Sequence, residues 1–215
     1  MVENNPVVEP APTSPFTILV VCTGNICRSP LAAQLLAARL SALGISAVVQ
    51  SAGTRALVDS AMTPEAASLS LRYGGNPAHA ARQLTESLVD SADLILTATR
   101  EHRSETVTLL PRASRRTFTL NQLARLVTAL PLVERAESPH ADLSTEASLH
   151  PALLRAYIAE IAASRGATPP PTNPADDDIT DPYRHAQDVY DEVGRIIDDA
   201  VTTISAGFAR TIGQV

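Results

Sequence analysis

Val20-Val21-Cys22-Thr23-Gly24-Asn25-Ile26-Cys27-Arg28-Ser29-Pro30 is the stretch on which the fold turns. The apolar run from Phe16 to Val21 ends in a cysteine, a glycine-bearing loop follows, and Ser29-Pro30 opens the repeating Leu and Ala pattern of a helix. A short continuous apolar run of this kind is a strand buried in a parallel sheet, so the order is strand, loop, helix. Ser29 is expected as N-cap and Pro30 at the first helical position, which aims the positive end of the helix dipole back at the loop. Five residues separate Cys22 from Arg28, a spacing over which a loop can turn its backbone N–H groups inward as anion-cradling nests do. Gly24 and Asn25 are residue types that tolerate the positive φ such a curl requires. A thiol beside an arginine and a helix N-terminus is expected to ionise far below its ordinary value of about 8.5. Cys22 is therefore the candidate nucleophile. Arg28 is the candidate clamp, because a planar guanidinium matches two oxygens of a tetrahedral anion, and the Ser29 hydroxyl can donate to the sulfur.

Outward from this loop the pattern repeats. Leu31, Leu35, Ala38 and Ala42 mark a helix that stops at Gly44; strands are expected at Ala47 to Gln50, Asp93 to Thr99 and Thr117 to Leu120. Helices are expected at Pro64 to Tyr73, Glu101 to Leu110, Asn121 to Leu130 and Arg184 to about Phe208. Strands alternating with helices imply a four-stranded parallel sheet covered on both faces, an α/β fold of three layers. Residues 1–15 read as a disordered tail and 209–215 as a short C-terminal one, leaving a single domain over 16–208. Between 131 and 178 the pattern breaks. Ala147 to Arg165 carries Leu154, Tyr157, Ile158 and Ile161 on one helical face, and Pro169 to Pro174 with Asp176, Asp177 and Asp178 make a stiff acidic linker. A surface excursion or a cover for the site is the expectation for this segment.

Composition excludes several classes. With 45% hydrophobic and 19% charged residues the chain is globular, and 3% aromatic with no Trp leaves the core to Leu, Val, Ile and Ala. A net charge of −6 gives no basic footprint for nucleic acid. Two cysteines, both in one loop, argue against a disulfide framework and for a reducing, cytoplasmic setting. The first residues are acidic and proline-rich, unlike a secretory signal, and no apolar run reaches the roughly 18 residues of a membrane span.

Cys22-Thr-Gly-Asn-Ile-Cys27-Arg28-Ser29-Pro30 resembles the signature loop of the low-molecular-weight protein tyrosine phosphatases, and Asp181-Pro182-Tyr183 resembles their general-acid loop. Ser51-Ala52-Gly53-Thr54 and His79-Ala-Ala-Arg82-Gln83 are similar to two further motifs, in the family's order. The likeness covers about residues 16–130 and 178–207, so 131–178 stands as an insertion. It implies a flavodoxin-like fold and a cysteine-dependent phosphatase acting on a phosphotyrosine-bearing protein or a small aryl phosphate, without metal or cofactor.

The resemblance also assigns residues. It selects Asp181, among four nearby aspartates, as the acid that protonates the leaving oxygen. Thr23, Gly24, Asn25, Ile26, Cys27 and Ser29 would bind phosphate or another oxyanion, with Tyr183 on one wall of the slot. Asn25, Ser29, Ser51 and His79 would hold the loop's shape, and Cys27 would either form a reversible disulfide with Cys22 or simply fill space. Arg184 and Arg55 stand where many members carry aromatics, so a more basic mouth is expected, while Ile26 suits a phenyl ring. Arsenate reduction or transfer to a thiol, and a protein arginine phosphatase, are the alternatives.

Overall fold

The computed structural model of the chain describes residues 14–130 and 143–213. Most of the tail expected at 1–15, the head of the insertion and the last two residues lie outside the described residues. Four strands, β1 (Phe16–Cys22), β2 (Ala47–Gly53), β3 (Leu94–Thr97) and β4 (Thr117–Thr119), form one parallel sheet in the order β2-β1-β3-β4. β1 has a neighbour on each side, with Val20 opposite Ser51 and Leu96, which is why its sequence is apolar without alternation. The order reverses at β1. In open α/β sheets that switch point, at the carboxyl ends of the strands, is where ligands bind. The loop after Cys22 sits there.

Seven helices follow among the described residues: α1 (Arg28–Ala42), α2 (Pro64–Arg72), α3 (Glu86–Ser91), α4 (Arg100–Leu109), α5 (Leu120–Ala129), α6 (Leu143–Ser164) and α7 (Gln187–Thr211). Successive side chains of β1 leave opposite faces of the sheet. Phe16, Ile18 and Val20 join the apolar faces of α1, α2, α5, α6 and α7, whereas Leu19 and Val21 join Ala52, Ile95, Val89 of α3 and Ala113. The fold is thus the flavodoxin-like three-layer arrangement expected, with one thick and one thin outer layer. Threonines at 63, 85, 99 and 119 cap α2, α3, α4 and α5, each accepting from a backbone N–H three residues on.

Two local expectations fail. α1 begins at Arg28 with Cys27 at the N-cap and no side-chain cap, so Ser29 lies inside the first turn and its hydroxyl is turned elsewhere. α7 begins at Gln187, because Arg184 adopts φ 65 and cannot continue a helix. The six-residue α3 escaped notice because it is too short to show a period.

The insertion is the larger surprise. Leu154, Ile158 and Ile161 of α6 are buried in the main core beside β1, α5 and α7. Arg155 reaches Asp93 at 2.7 Å and the Ser14 carbonyl at 2.9 Å, at the amino end of β1 and β3. Arg165 lies 4.0 Å over the Phe118 ring. α6 is therefore neither an excursion nor a cover, and its apolar face is what a thick layer needs. Ile161→Ala is expected to cost about 2–5 kcal/mol in urea unfolding; a loss under about 1 kcal/mol would make the helix peripheral after all.

Candidate active site

The loop between β1 and α1 is held inside out. The carbonyls of Cys22, Thr23, Gly24 and Ile26 accept from the N–H groups of Thr54, Arg55, Leu57 and Thr63 at 2.9–3.0 Å. His79 Nε2 donates to the Asn25 carbonyl at 2.6 Å. No acceptor among the described residues takes the N–H groups of Gly24, Asn25, Ile26 or Cys27, so the loop has a satisfied outer rim and a row of free donors. Asn25 makes the bend at φ 56, while Gly24 does not adopt positive φ; the expectation for that glycine fails because one left-handed residue is enough. The glycine that the geometry demands is Gly53. A Cβ there would lie 2.4 Å from the Thr23 carbonyl oxygen, where β2 passes behind the loop.

Behind the loop a polar network is complete. Asn25 Nδ2 donates to Ser29 Oγ and Ser51 Oγ, both at 2.9 Å, and its Oδ1 accepts from the Arg82 N–H at 2.9 Å. Ser29 Oγ lies 2.9 Å from Cys22 Sγ. The same hydroxyl is also 3.4 Å from the Ala52 carbonyl, to which it can donate, so its hydrogen is shared between that oxygen and the sulfur. Arg82 Nε donates to the Ser51 carbonyl at 2.8 Å. Burial lowers the proton affinity of His79, and the neutral ring still donates to the loop.

Arg28 is buried to 5% exposure. It donates to the Ile179 carbonyl at 3.0 Å and pairs with Asp181 at 2.7 Å, while Nε has no partner among the described residues. Asp181 also accepts from the Tyr183 N–H at 3.2 Å, the turn expected of Asp-Pro. One cleft is lined by Cys22, Thr23, Gly24, Ile26, Cys27, Arg28, Arg55, Leu57, Asp181 and Tyr183. Asn25, Ser29, Ser51 and His79 stand behind it. The mouth is less basic than expected, because Arg55 is paired with Glu105 at 2.7 Å. Arg184 lies 5.1 Å over the Tyr183 ring.

Both thiols are free. Cys27 Sγ lies 3.5 Å from Thr63 Oγ1 and 3.7 Å from Tyr190 Oη, and burial pushes its thiol up. Burial likewise pushes Tyr190 up to about 12. Among the described residues no group of three or more His, Cys, Asp and Glu could hold a metal ion.

Sequence reasoning passed over His102 and Leu57, and met Gly53 only as part of the Ser51-to-Thr54 motif, without the close approach that requires it. His102 carries no motif; only its place on the first turn of α4 could have suggested it. Its Nε2 is 2.8 Å from Thr23 Oγ1 and its Nδ1 2.7 Å from Thr99 Oγ1. Burial, then the Arg28 charge, lower its pKa to about 4. The unfolded ring takes a proton near 6.5 and the folded ring only near 4, so this stability is present above pH 6.5 and lost as pH falls toward 4. The loss should approach about 3 kcal/mol. Urea unfolding of wild type and His102→Gln between pH 7 and 4 checks this; equal slopes would discard it.

Comparison with known proteins gives one consistent neighbourhood. The family model described as low molecular weight phosphotyrosine protein phosphatase matches residues 17–129. The chain is 37% identical over 107 residues to the low molecular weight protein-tyrosine-phosphatase Etp of Escherichia coli, covering 49% of this chain and 70% of Etp. It is 39% identical over 108 residues to the protein-arginine-phosphatase of Geobacillus stearothermophilus, covering 50% and 71%. The solved structure of Vibrio vulnificus Wzb in complex with benzylphosphonate superposes with a TM-score of 0.60 at 22% identity, over 89% of this chain and 97% of that one.

Proposed function

Since the chain belongs to the low molecular weight phosphotyrosine protein phosphatase family, we propose that it hydrolyses aryl phosphate monoesters, phosphotyrosine foremost, through a phosphocysteine. Two displacements suffice. Cys22 Sγ attacks phosphorus as the bond to the leaving oxygen breaks, and Asp181 gives that oxygen its proton. Water then attacks the phosphocysteine, Asp181 takes a proton from it, and the sulfur departs as a thiolate that the Ser29 hydroxyl receives. Arg28 and the free loop amides carry the charge that builds on the equatorial oxygens.

The observation that carries this reading is the meeting at Arg28 of the sulfur-bearing loop and the Asp181 carboxylate, 2.7 Å from the guanidinium. A docked dianion would compete for Arg28 and leave Asp181 facing negative charge, the condition in which a carboxyl holds a proton to donate. The apolar walls of Ile26, Leu57 and Tyr183 support a phenyl ring as the leaving group. Phosphoarginine is the second reading, favoured by the Geobacillus relative. A reducing cytoplasm fits two free thiols, and no helix among the described residues is long and apolar enough to cross a membrane.

Cys22→Ser is expected to lower aryl phosphate turnover by roughly a thousandfold or more while phosphate still binds in calorimetry. A fully active Cys22→Ser enzyme would remove the nucleophile. Turnover on phosphotyrosine peptide, phosphoarginine peptide and arsenate with thiol, measured side by side, is expected to be highest for the first; a reversed order would reassign the substrate.

A further inference from the structure

The scheme above leaves one fork unused. Arg100, the first residue of α4, donates from Nε to both carboxylate oxygens of Asp178 at 3.2 and 3.1 Å and from a terminal nitrogen to Oδ2 at 2.8 Å. Its backbone N–H donates to Oδ1 at 2.7 Å. One carboxylate thus takes four contacts from three donor groups of a single residue. The next residue, Ile179, donates its N–H to the Ala98 carbonyl at 2.8 Å, at the end of β3, and its carbonyl accepts from Arg28. Only Ile179 and Thr180 separate Asp178 from Asp181, so the pin at Asp178, with the two bonds of Ile179, fixes the path by which the chain reaches Asp181. Upstream contacts cannot do this as closely: Asp177 pairs with Arg125 at 3.2 Å and the Asp176 carbonyl accepts from Asn121 at 3.0 Å, both inside the short 3-10 turn Pro174–Asp177.

Burial pushes the Asp178 carboxyl up, but the bonds and charge of Arg100 outweigh it and hold the group below the usual carboxylate range. The fork is charged at neutral pH. It is also half exposed at Arg100, where an ion pair adds little to global stability. What a bidentate fork on a loop does well is fix position, and a misplacement of about 1 Å at a reacting group can cost as much as 10²-fold in rate.

We propose that Arg100 is a positioning residue for the general acid, acting through its fork on Asp178 to hold Asp181 within reach of the leaving oxygen. This rests on the reading of Asp181 as that acid, and the experiment separates the two. kcat/KM is measured over aryl phosphates of graded leaving-group acidity for wild type, Arg100→Ala, Asp181→Asn and the double variant. Arg112→Ala, which breaks a distant ion pair with Asp90, serves as the control expected to leave activity unchanged. Arg100→Ala should lose about tenfold on phenyl phosphate and less than about twofold on dinitrophenyl phosphate. In the Asp181→Asn background it should cost nothing further. A loss equal across the series, or one that persists without Asp181, overturns the positioning role. If Asp181→Asn itself is insensitive to the leaving group, the acid assignment falls first and the fork's role with it.

Discussion

A guanidinium buried to 5% exposure must find its partners inside the protein, and at Arg28 they come from opposite ends of the chain. Thr23 Oγ1 stands 3.4 Å away in its own loop, while the Ile179 carbonyl belongs to a segment 151 residues later. Removing either end would leave a charge in a poor dielectric with an unmet bond, so the first strand and the last loop are bound to one another through this side chain. The remaining architecture keeps those two ends in register. β3 supplies the Ala98 carbonyl that seats Ile179, α4 supplies Arg100, and α5 supplies the side chains that hold the preceding turn.

The anion loop obeys the complementary rule. A stretch of backbone can offer several N–H groups to one ligand only if its carbonyls are satisfied elsewhere. Residues 54–63 do this work by running past the loop and donating to four of its carbonyls, with His79 donating to a fifth. The close approach leaves no room for a side chain at position 53, which ties a glycine in β2 to the shape of a loop thirty residues earlier. Asn25 serves both sides of this arrangement. It takes the left-handed backbone angle, and its amide fixes Ser29 and Ser51 at once.

Much of this was legible in the residues. The strand, loop and helix around Cys22 follow from an apolar run and a change of period, and the four strands follow from the same signal repeated. What stayed hidden was what periodicity cannot encode. Apolar stripes such as that of α6 look alike on a peripheral helix and a core helix; only the packing of Leu154 and Ile161 against the sheet separates the two. The start of α1 was misplaced by a good local signal, Ser-Pro, because tertiary demand for the serine hydroxyl beside the sulfur overrode the capping preference. His102, Arg100 and the Ile179 carbonyl contribute through long-range hydrogen bonds between segments that share no pattern.

The two cysteines show how far environment divides identical chemistry. They share one loop, yet Cys22 Sγ meets the Ser29 hydroxyl at 2.9 Å, an oxygen that the Asn25 amide holds in place. Cys27 Sγ instead faces Thr63 and Tyr190 at longer range, and burial dominates the modest help those hydroxyls give. A sulfur that burial keeps protonated is a poor nucleophile toward phosphorus, because the thiolate is the reactive form. Tyr190, itself pushed up to about 12 by burial, offers Cys27 no charge with which to change that state. Thr63 at the cap of α2 and Tyr190 of α7 thus fall short of offsetting the burial of the Cys27 sulfur.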